Sequence, residues 1–341
     1  MNIVITGGAG FLGVRLARAL LAEGTLSLAG AAPAPITRLT LVDRAAPPAD
    51  LLKDPRVAAV TGDLNALMEE KRTLALVLPT NVAIVFHLAA AVSGECEADF
   101  DLGMHSNFAA TLALLQACRA LQTKPMLVFA SSLAVFGDTP EQPMPAVIED
   151  STLPTPQTSY GIQKFIGEQL VADFTRKGFI QGRNVRLMTV SVRPGKPNGA
   201  ASGFFSGMIR EPLAGLKASC PVPPETPAAL SSPALTVAGI IRAAEASMSD
   251  WGPRTALNLP SVTATVGEMA AALERVAGPA AIALIDWTPD AVIQKIVKTW
   301  PARVNAVRAK GLGLLPAHSF EDIIREYVRE NPDAVTLPIR P

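Results

Sequence analysis

The first 195 residues alternate between short apolar runs and longer stretches whose apolar positions recur at helical spacing. Apolar runs at 3–5, 39–42, 57–60, 83–88 and 126–130 predict strands, and residues 11–22 predict the first helix between them. Strands interleaved with helices of this length predict an α/β fold, a parallel doubly wound sheet covered on both faces. Residues 26–37 carry Gly30, Pro33 and Pro35 and predict a surface insertion before the second strand. After about residue 195 the texture changes. A proline-rich linker, Cys220-Pro221-Val222-Pro223-Pro224, is followed by isolated capped helices. Thr265 with Glu268 forms a capping-box pattern and Gly278 marks that helix's end; Ser319 with Asp322 starts the last helix, and Asn331-Pro332 stops it. The expected organisation is a nucleotide-binding domain over 1–195 and a smaller substrate-binding lobe over 196–341, with some segments free to return to the sheet.

A chain of 341 residues has room for two such units. Apolar residues make up 49% and charged residues 18%, enough for a sizeable core. Thirty basic residues balance thirty acidic ones, which removes the electrostatic footprint of a nucleic-acid or membrane-surface binder. The three cysteines, Cys96, Cys118 and Cys220, are scattered, with no metal-ligand spacing. They read as reduced thiols in a cytoplasmic protein, and no metal is expected. The chain runs from Met1 straight into a strand, with no leader expected, and no apolar run approaches the ~18 residues that span a bilayer.

Chemistry enters at Thr6-Gly7-Gly8-Ala9-Gly10-Phe11-Leu12-Gly13, directly after a strand and opening a helix. Glycines 7, 10 and 13 permit a tight turn, close approach to a pyrophosphate and close helix packing, and the helix N-terminus offers N–H donors to phosphates. This is the Rossmann-type context that gives such a motif meaning. Asp43 ends the second strand, where a carboxylate accepts from ribose hydroxyls and repels a 2′-phosphate, favouring NAD over NADP. Adjacent Arg44 works the other way, as a possible partner for that phosphate. Tyr160 and Lys164 lie four apart on one helical face. An ammonium beside a phenol favours the phenolate. Lowering a phenol from ~10 to ~7 takes about 4 kcal/mol, which one charge at ~4 Å in a dielectric of ~20 supplies.

Further markers follow in order: Gly62-Asp63-Leu64, Phe86-His87-Leu88-Ala89-Ala90, and Phe129-Ala130-Ser131-Ser132-Leu133-Ala134-Val135-Phe136-Gly137. With the opening glycines and Tyr160/Lys164, they resemble the extended short-chain dehydrogenase/reductase family, which contains the sugar-nucleotide epimerases. The resemblance covers residues 1 to about 200. It implies that Asp63 contacts the adenine, that Leu88, Ala89 and Ala90 line the cofactor cleft beside Phe11, Leu12 and Leu64, and that Ser132, Tyr160 and Lys164 form the catalytic set. Ser131 is the fallback if the strand end is read one residue off, and Phe136 departs from the family's usual tyrosine. Asn107, near the start of a helix over 106–121, is either a holder of a proton-relaying water or a plain N-cap. The resemblance also implies that Pro194 abuts the nicotinamide.

The broad apolar arc of helix 106–121 (Phe108, Leu112, Leu115, with Leu114, Cys118 and Leu121 beside them) exceeds what one sheet face needs. A homodimer through the helices containing 106–121 and 160–177 would cover it. His87 closes an apolar strand and reads as structural, and His105 has no carboxylate at a recognisable spacing. The uridine-diphosphate-gripping stretch typical of sugar-nucleotide epimerases is missing after Pro194. The segments Arg193-Pro194-Gly195-Lys196-Pro197-Asn198 and Ser202-Gly203-Phe204-Phe205-Ser206, with Arg210-Glu211-Pro212 after them, resemble instead a branch that oxidises carbon-2 of a four-carbon sugar acid. Such a substrate needs a cation for its carboxylate. Arg210 is the first candidate, with Lys196 and Arg193 behind it; each is otherwise a surface charge or the partner of a local carboxylate such as Glu211. Ser93 is a candidate hydrogen-bond partner of the substrate. Two other readings stay open, a sugar-nucleotide epimerase or dehydratase with tightly bound NAD and a non-catalytic NAD(H)-binding regulatory protein.

Overall fold

A computed structural model describes residues 1–195 and 200–341. Seven parallel strands form the central sheet: β1 (Asn2–Thr6), β2 (Arg38–Asp43), β3 (Val57–Thr61), β4 (Val82–His87), β5 (Met126–Ser132), β6 (Gln181–Leu187) and β7 (Leu257–Asn258). They lie in the order β7-β6-β5-β4-β1-β2-β3. The order reverses between β1 and β4, and a doubly wound sheet opens its ligand crevice at that point.

Alternation along the strands supplies both cores. On one face Ile3, Ile5, Leu39, Leu41, Ile84 and Phe86 pack with Leu16 and Leu20 of helix α1 (Phe11–Glu23). On the other, Val4, Val42, Val85, Leu127 and Phe129 pack with Leu114 and Leu115, and with Val171 and Phe174. The helices on this second face include α2 (Leu64–Glu69), α3 (Ser93–Ala98) and α4. Helix α4 runs continuously through Phe100–Gly103, a π-helical Met104–Ala109 and Ala110–Ala120. Helix α5 (Ser159–Arg176) follows β5, its first turn capped by Thr158, whose side chain accepts from the Gly161 N–H at 3.1 Å.

Beyond residue 200, α6 (Gly203–Leu213), α8 (Val266–Ala277) and α9 (Phe320–Glu330) build a separate core from Phe205, Met208, Met269, Leu273 and Ile324. Helix α7 (Pro233–Glu245) and β7 belong elsewhere: Ile240 and Leu257 join the α1 face of the sheet. The capping box of Thr265 and Glu268 forms, as does the Ser319 cap. The insertion over 26–37 lies mostly at the surface but is not structureless. It pairs Thr25–Leu26 with Ala34–Pro35 and buries Leu26 and Ile36. The Ala29 and Gly30 N–H groups close the end of α7 by donating to the Ala244 and Glu245 carbonyls.

Candidate active site

The turn between β1 and α1 is shaped by what cannot fit there. A Cβ on Gly13 would lie 2.0 Å from the Gly7 carbonyl oxygen, and one on Gly7 would lie 2.7 Å from the Ala89 nitrogen. Gly7 also sits at φ +73°, where side chains other than glycine's are strained. The backbone is therefore open at the helix mouth, with Gly10 at the N-cap. Asp43 supports this turn from β2, accepting from the Ala9 N–H at 3.0 Å and the Ala45 N–H at 3.1 Å.

Asp63 caps α2 through the Asn65 N–H and is bonded by Arg44 Nη2 at 2.7 Å. His105 Nε2 meets the same carboxylate at 3.1 Å, so His105 does have a carboxylate partner, brought in by tertiary contact across 42 positions. Burial raises the Asp63 pKa, but the bonds from Arg44 and His105 outweigh it and hold the carboxyl below its usual range. Arg44 thus has a carboxylate partner that, like Arg44 itself, lines the cleft.

Gly7, Gly10, Gly13, Asp43, Arg44 and Asp63 line one cleft of about 560 Å³, together with Leu12, Leu64, Leu88, Ala89, Ala90, Ser132, Tyr160 and Lys164. The catalytic candidates converge on one wall. Ser132 and Tyr160 stand together on this wall, and burial pushes the Tyr160 phenol up to about 12. Lys164 is buried, donates from Nζ to the Ala130 carbonyl at 2.9 Å, and is pulled by burial down to about 8. Its Nζ lies 5.7 Å from the Tyr160 ring centre. Ser131 is excluded from this wall's chemistry because its hydroxyl donates to Glu168 at 2.5 Å. His87 is fully buried, and burial followed by the Lys164 charge brings it down to about 3, so it stays neutral. Thr111 gives its one hydroxyl proton to the Asn107 carbonyl, so His87 Nε2 donates to Thr111 and Nδ1 accepts from Thr6.

Three sequence expectations change here. Asn107 is no N-cap, because α4 begins at Phe100 and carries Asn107 within its π-helical part. Its amide is bonded to Ala91, Gln163 and Cys96, and it is not among the residues lining the cleft, so the side chain braces the loop and helices around it. Arg210 is buried and engaged by Glu211 and by the Arg193 carbonyl at 2.7 Å, away from the cleft lining. Pro194 is likewise not among the lining residues, whereas Arg193 is. Lys196 lies outside the described residues. Ser93 lines the cleft and accepts from the Ala201 N–H at 3.2 Å. Ser202, from the segment after Pro194, lines it too; sequence reasoning missed Met188 and Trp300, neither of which carries a motif, and only the docking of the second lobe brings Trp300 there.

Comparison with known proteins agrees with this geometry. Residues 3–225, well over half of the chain, match the NAD dependent epimerase/dehydratase family. The chain belongs to this family. Among the family's relatives, a D-erythronate dehydrogenase of Cupriavidus necator is 50% identical, covering 97% of this chain and 98% of its own. The Haemophilus influenzae D-erythronate dehydrogenase is 40% identical over 96% and 99% respectively. A solved structure described as a nucleoside-diphosphate-sugar epimerase from Agrobacterium tumefaciens superposes with a TM-score of 0.87 at 40% identity, covering 98% of this chain and 95% of that one.

The family's cofactor is NAD, and the residues present suit it. The mouth of α1 is kept clear at Gly7 and Gly13, the N–H groups there are available to a pyrophosphate, and the Asp43 carboxylate stands at the end of β2 where a ribose is bound.

Proposed function

We propose that the protein oxidises a secondary hydroxyl of a small sugar acid, D-erythronate at carbon-2, to the 2-oxo acid. The observation that carries this reading is Arg193. It is a cation lining the cleft on the Tyr160 side, oriented by Ser202 Oγ, to which its Nη2 donates at 2.8 Å. A guanidinium in that position suits the carboxylate of a substrate whose hydroxyl reaches Tyr160. The cleft of about 560 Å³ has to hold a dinucleotide as well, which favours a small second molecule. Relatives named D-erythronate dehydrogenase that align over nearly the whole chain support the four-carbon acid.

Bound NAD would supply the hydride acceptor for carbon-2 and a positive charge in the cleft. Tyr160, as phenolate, takes the hydroxyl proton, Ser132 hydrogen-bonds and orients the reacting oxygen, and Lys164 stabilises the phenolate. Asp43 and Asp63 hold the adenosine end. A homodimer through α4 and α5 belongs to the same proposal: the two pack side by side and expose Phe100 (62%) and Ile162 (47%). So does a cytoplasmic location, consistent with three free, buried cysteines. Among the described residues no helix is long and apolar enough to cross a membrane.

Incubation with NAD and a panel of four-carbon sugar acids, followed by NADH absorbance, tests the activity. D-erythronate should give the highest kcat/KM. Absence of NADH with every acid, together with epimerisation of a sugar nucleotide, would replace this reading with the epimerase. Tyr160→Phe should lower turnover by roughly 10²-fold or more with NAD affinity retained; persisting turnover removes Tyr160 from the base role.

A further inference from the structure

A buried ion pair lies beneath the catalytic strand end, and the chemistry above does not use it. Glu168 stands one turn beyond Lys164 on α5, and its carboxylate accepts from Arg186 Nε at 2.8 Å and Nη2 at 2.7 Å. The two side chains are 2% and 6% exposed. The same carboxylate takes the Ser131 hydroxyl at 2.5 Å. Ser131 and Arg186 are register partners on β5 and β6, so one carboxylate from the helix bridges two adjacent strands. The Arg186 guanidinium lies 4.8 Å over the Phe136 ring, which fixes the fork from its other side.

Removing two charges from water is costly, and such a pair contributes less stability than an apolar replacement of equal volume. What a bidentate fork supplies is one defined geometry. Here that geometry is the placement of α5 on β5. Lys164 binds the Ala130 carbonyl, Glu168 binds the next residue, and Tyr160 lies two turns back, about 12 Å along the axis. A slide or rotation of α5 would break the fork and carry the Tyr160 hydroxyl away from Ser132.

We propose that Glu168, held by Arg186, is a positioning residue for the catalytic base: it sets the register of α5 on β5 and supports the Lys164 ammonium. This rests on the reading of Tyr160 as base. The titratable groups facing Lys164 are His87 on β4, Cys96 on α3, and Tyr160 and Glu168 on its own helix, with Arg193 bearing on Tyr160. Glu168 is the carboxylate among them. His87 is neutral and the Cys96 thiol is pushed by burial up to about 11, so neither supplies that negative charge at neutral pH.

The test exploits a chain with two tyrosines. In a Tyr327→Phe background, ultraviolet difference titration reads the Tyr160 phenolate directly, without turnover. Three variants are compared in that background. Ser131→Ala removes the strand bond with the pair intact, Glu168→Gln removes the charge, and Glu168→Gln/Arg186→Met restores charge balance. Each should lower kcat about tenfold with KM and NAD affinity within about twofold. In the NAD complex, the two variants lacking the Glu168 charge should also raise the Tyr160 midpoint by about one pH unit. A purely structural pair would lower the melting temperature of Glu168→Gln, recover in the double variant, and leave kcat and the Tyr160 midpoint as in the parent. That result, or an unchanged kcat in Ser131→Ala, overturns the proposal. If Tyr160→Phe keeps turnover, the base assignment fails separately, and the midpoint shifts still report on positioning.

Discussion

Tyr160 is pushed by burial up to about 12, a phenol that keeps its proton at neutral pH. Bringing it to ~7 takes about 7 kcal/mol. One cation at ~4 Å in a dielectric of ~20 contributes about 4 kcal/mol, so two are needed and Lys164 alone falls short. The free protein should therefore show no Tyr160 phenolate near neutrality, and NAD binding should lower the midpoint by several units, read by the same ultraviolet titration. Removing a positive charge raises a phenol pKa, so Lys164→Met should move the acid limb of kcat upward by more than about one pH unit. Arginines separate along different lines. Arg193→Met should raise KM for the acid about tenfold or more while kcat changes less. Arg210→Met removes a partner of Glu211 and of the Arg193 carbonyl, and should appear first as a lower melting temperature. Ser132, Tyr160 and Lys164 were legible in the chain because regular elements fix their spacing and direction. The choice between Arg193 and Arg210 was not, because a long flexible side chain points wherever its tertiary partner lies.

At the scale of elements, the β1–α1 turn shows how local sequence settles local geometry. A Cβ at residue 13 has backbone 2.0 Å away, with no flexible neighbour to yield. Gly13→Ala should therefore displace the helix mouth and weaken NAD binding by about tenfold or more, measurable by fluorescence titration of NADH. Helix α4 taught the opposite lesson. Its apolar spacing was readable over 106–121, but its start at Phe100 and the π-helical stretch around Asn107 follow from contacts with Ala91 and Gln163 on other elements. The insertion over 26–37 carried turn residues that placed it at the surface, where most of it lies, but gave no sign of its pairing. It forms a short hairpin there, because the end of α7 offers carbonyls to Ala29 and Gly30 while Leu26 and Ile36 are buried.

For the whole molecule, one crevice at the sheet's reversal point gathers residues from β1, β2, β4, β5, α5 and the second lobe. Trp300 reaches the crevice from that lobe, while α7 and β7 return from the same half of the chain to complete the sheet. The exposed Ile162 on α5 lies on the face assigned to a second copy. If the proposed dimer forms through this face, Ile162→Glu should shift it toward monomer in sedimentation velocity, since a carboxylate buried without a partner opposes association.

The chain by itself determined the strand and helix alternation, the glycine turn, Asp43, and the Ser132, Tyr160 and Lys164 wall. All of these depend on spacing within one element or on backbone room at one turn. Tertiary structure decided which arginine lines the cleft, that His105 and Arg44 share Asp63, that Asn107 is a brace, and that Glu168 and Arg186 meet beside Lys164. Those contacts join residues distant in sequence, and their partners exist only once the sheet and its two layers of helices have packed.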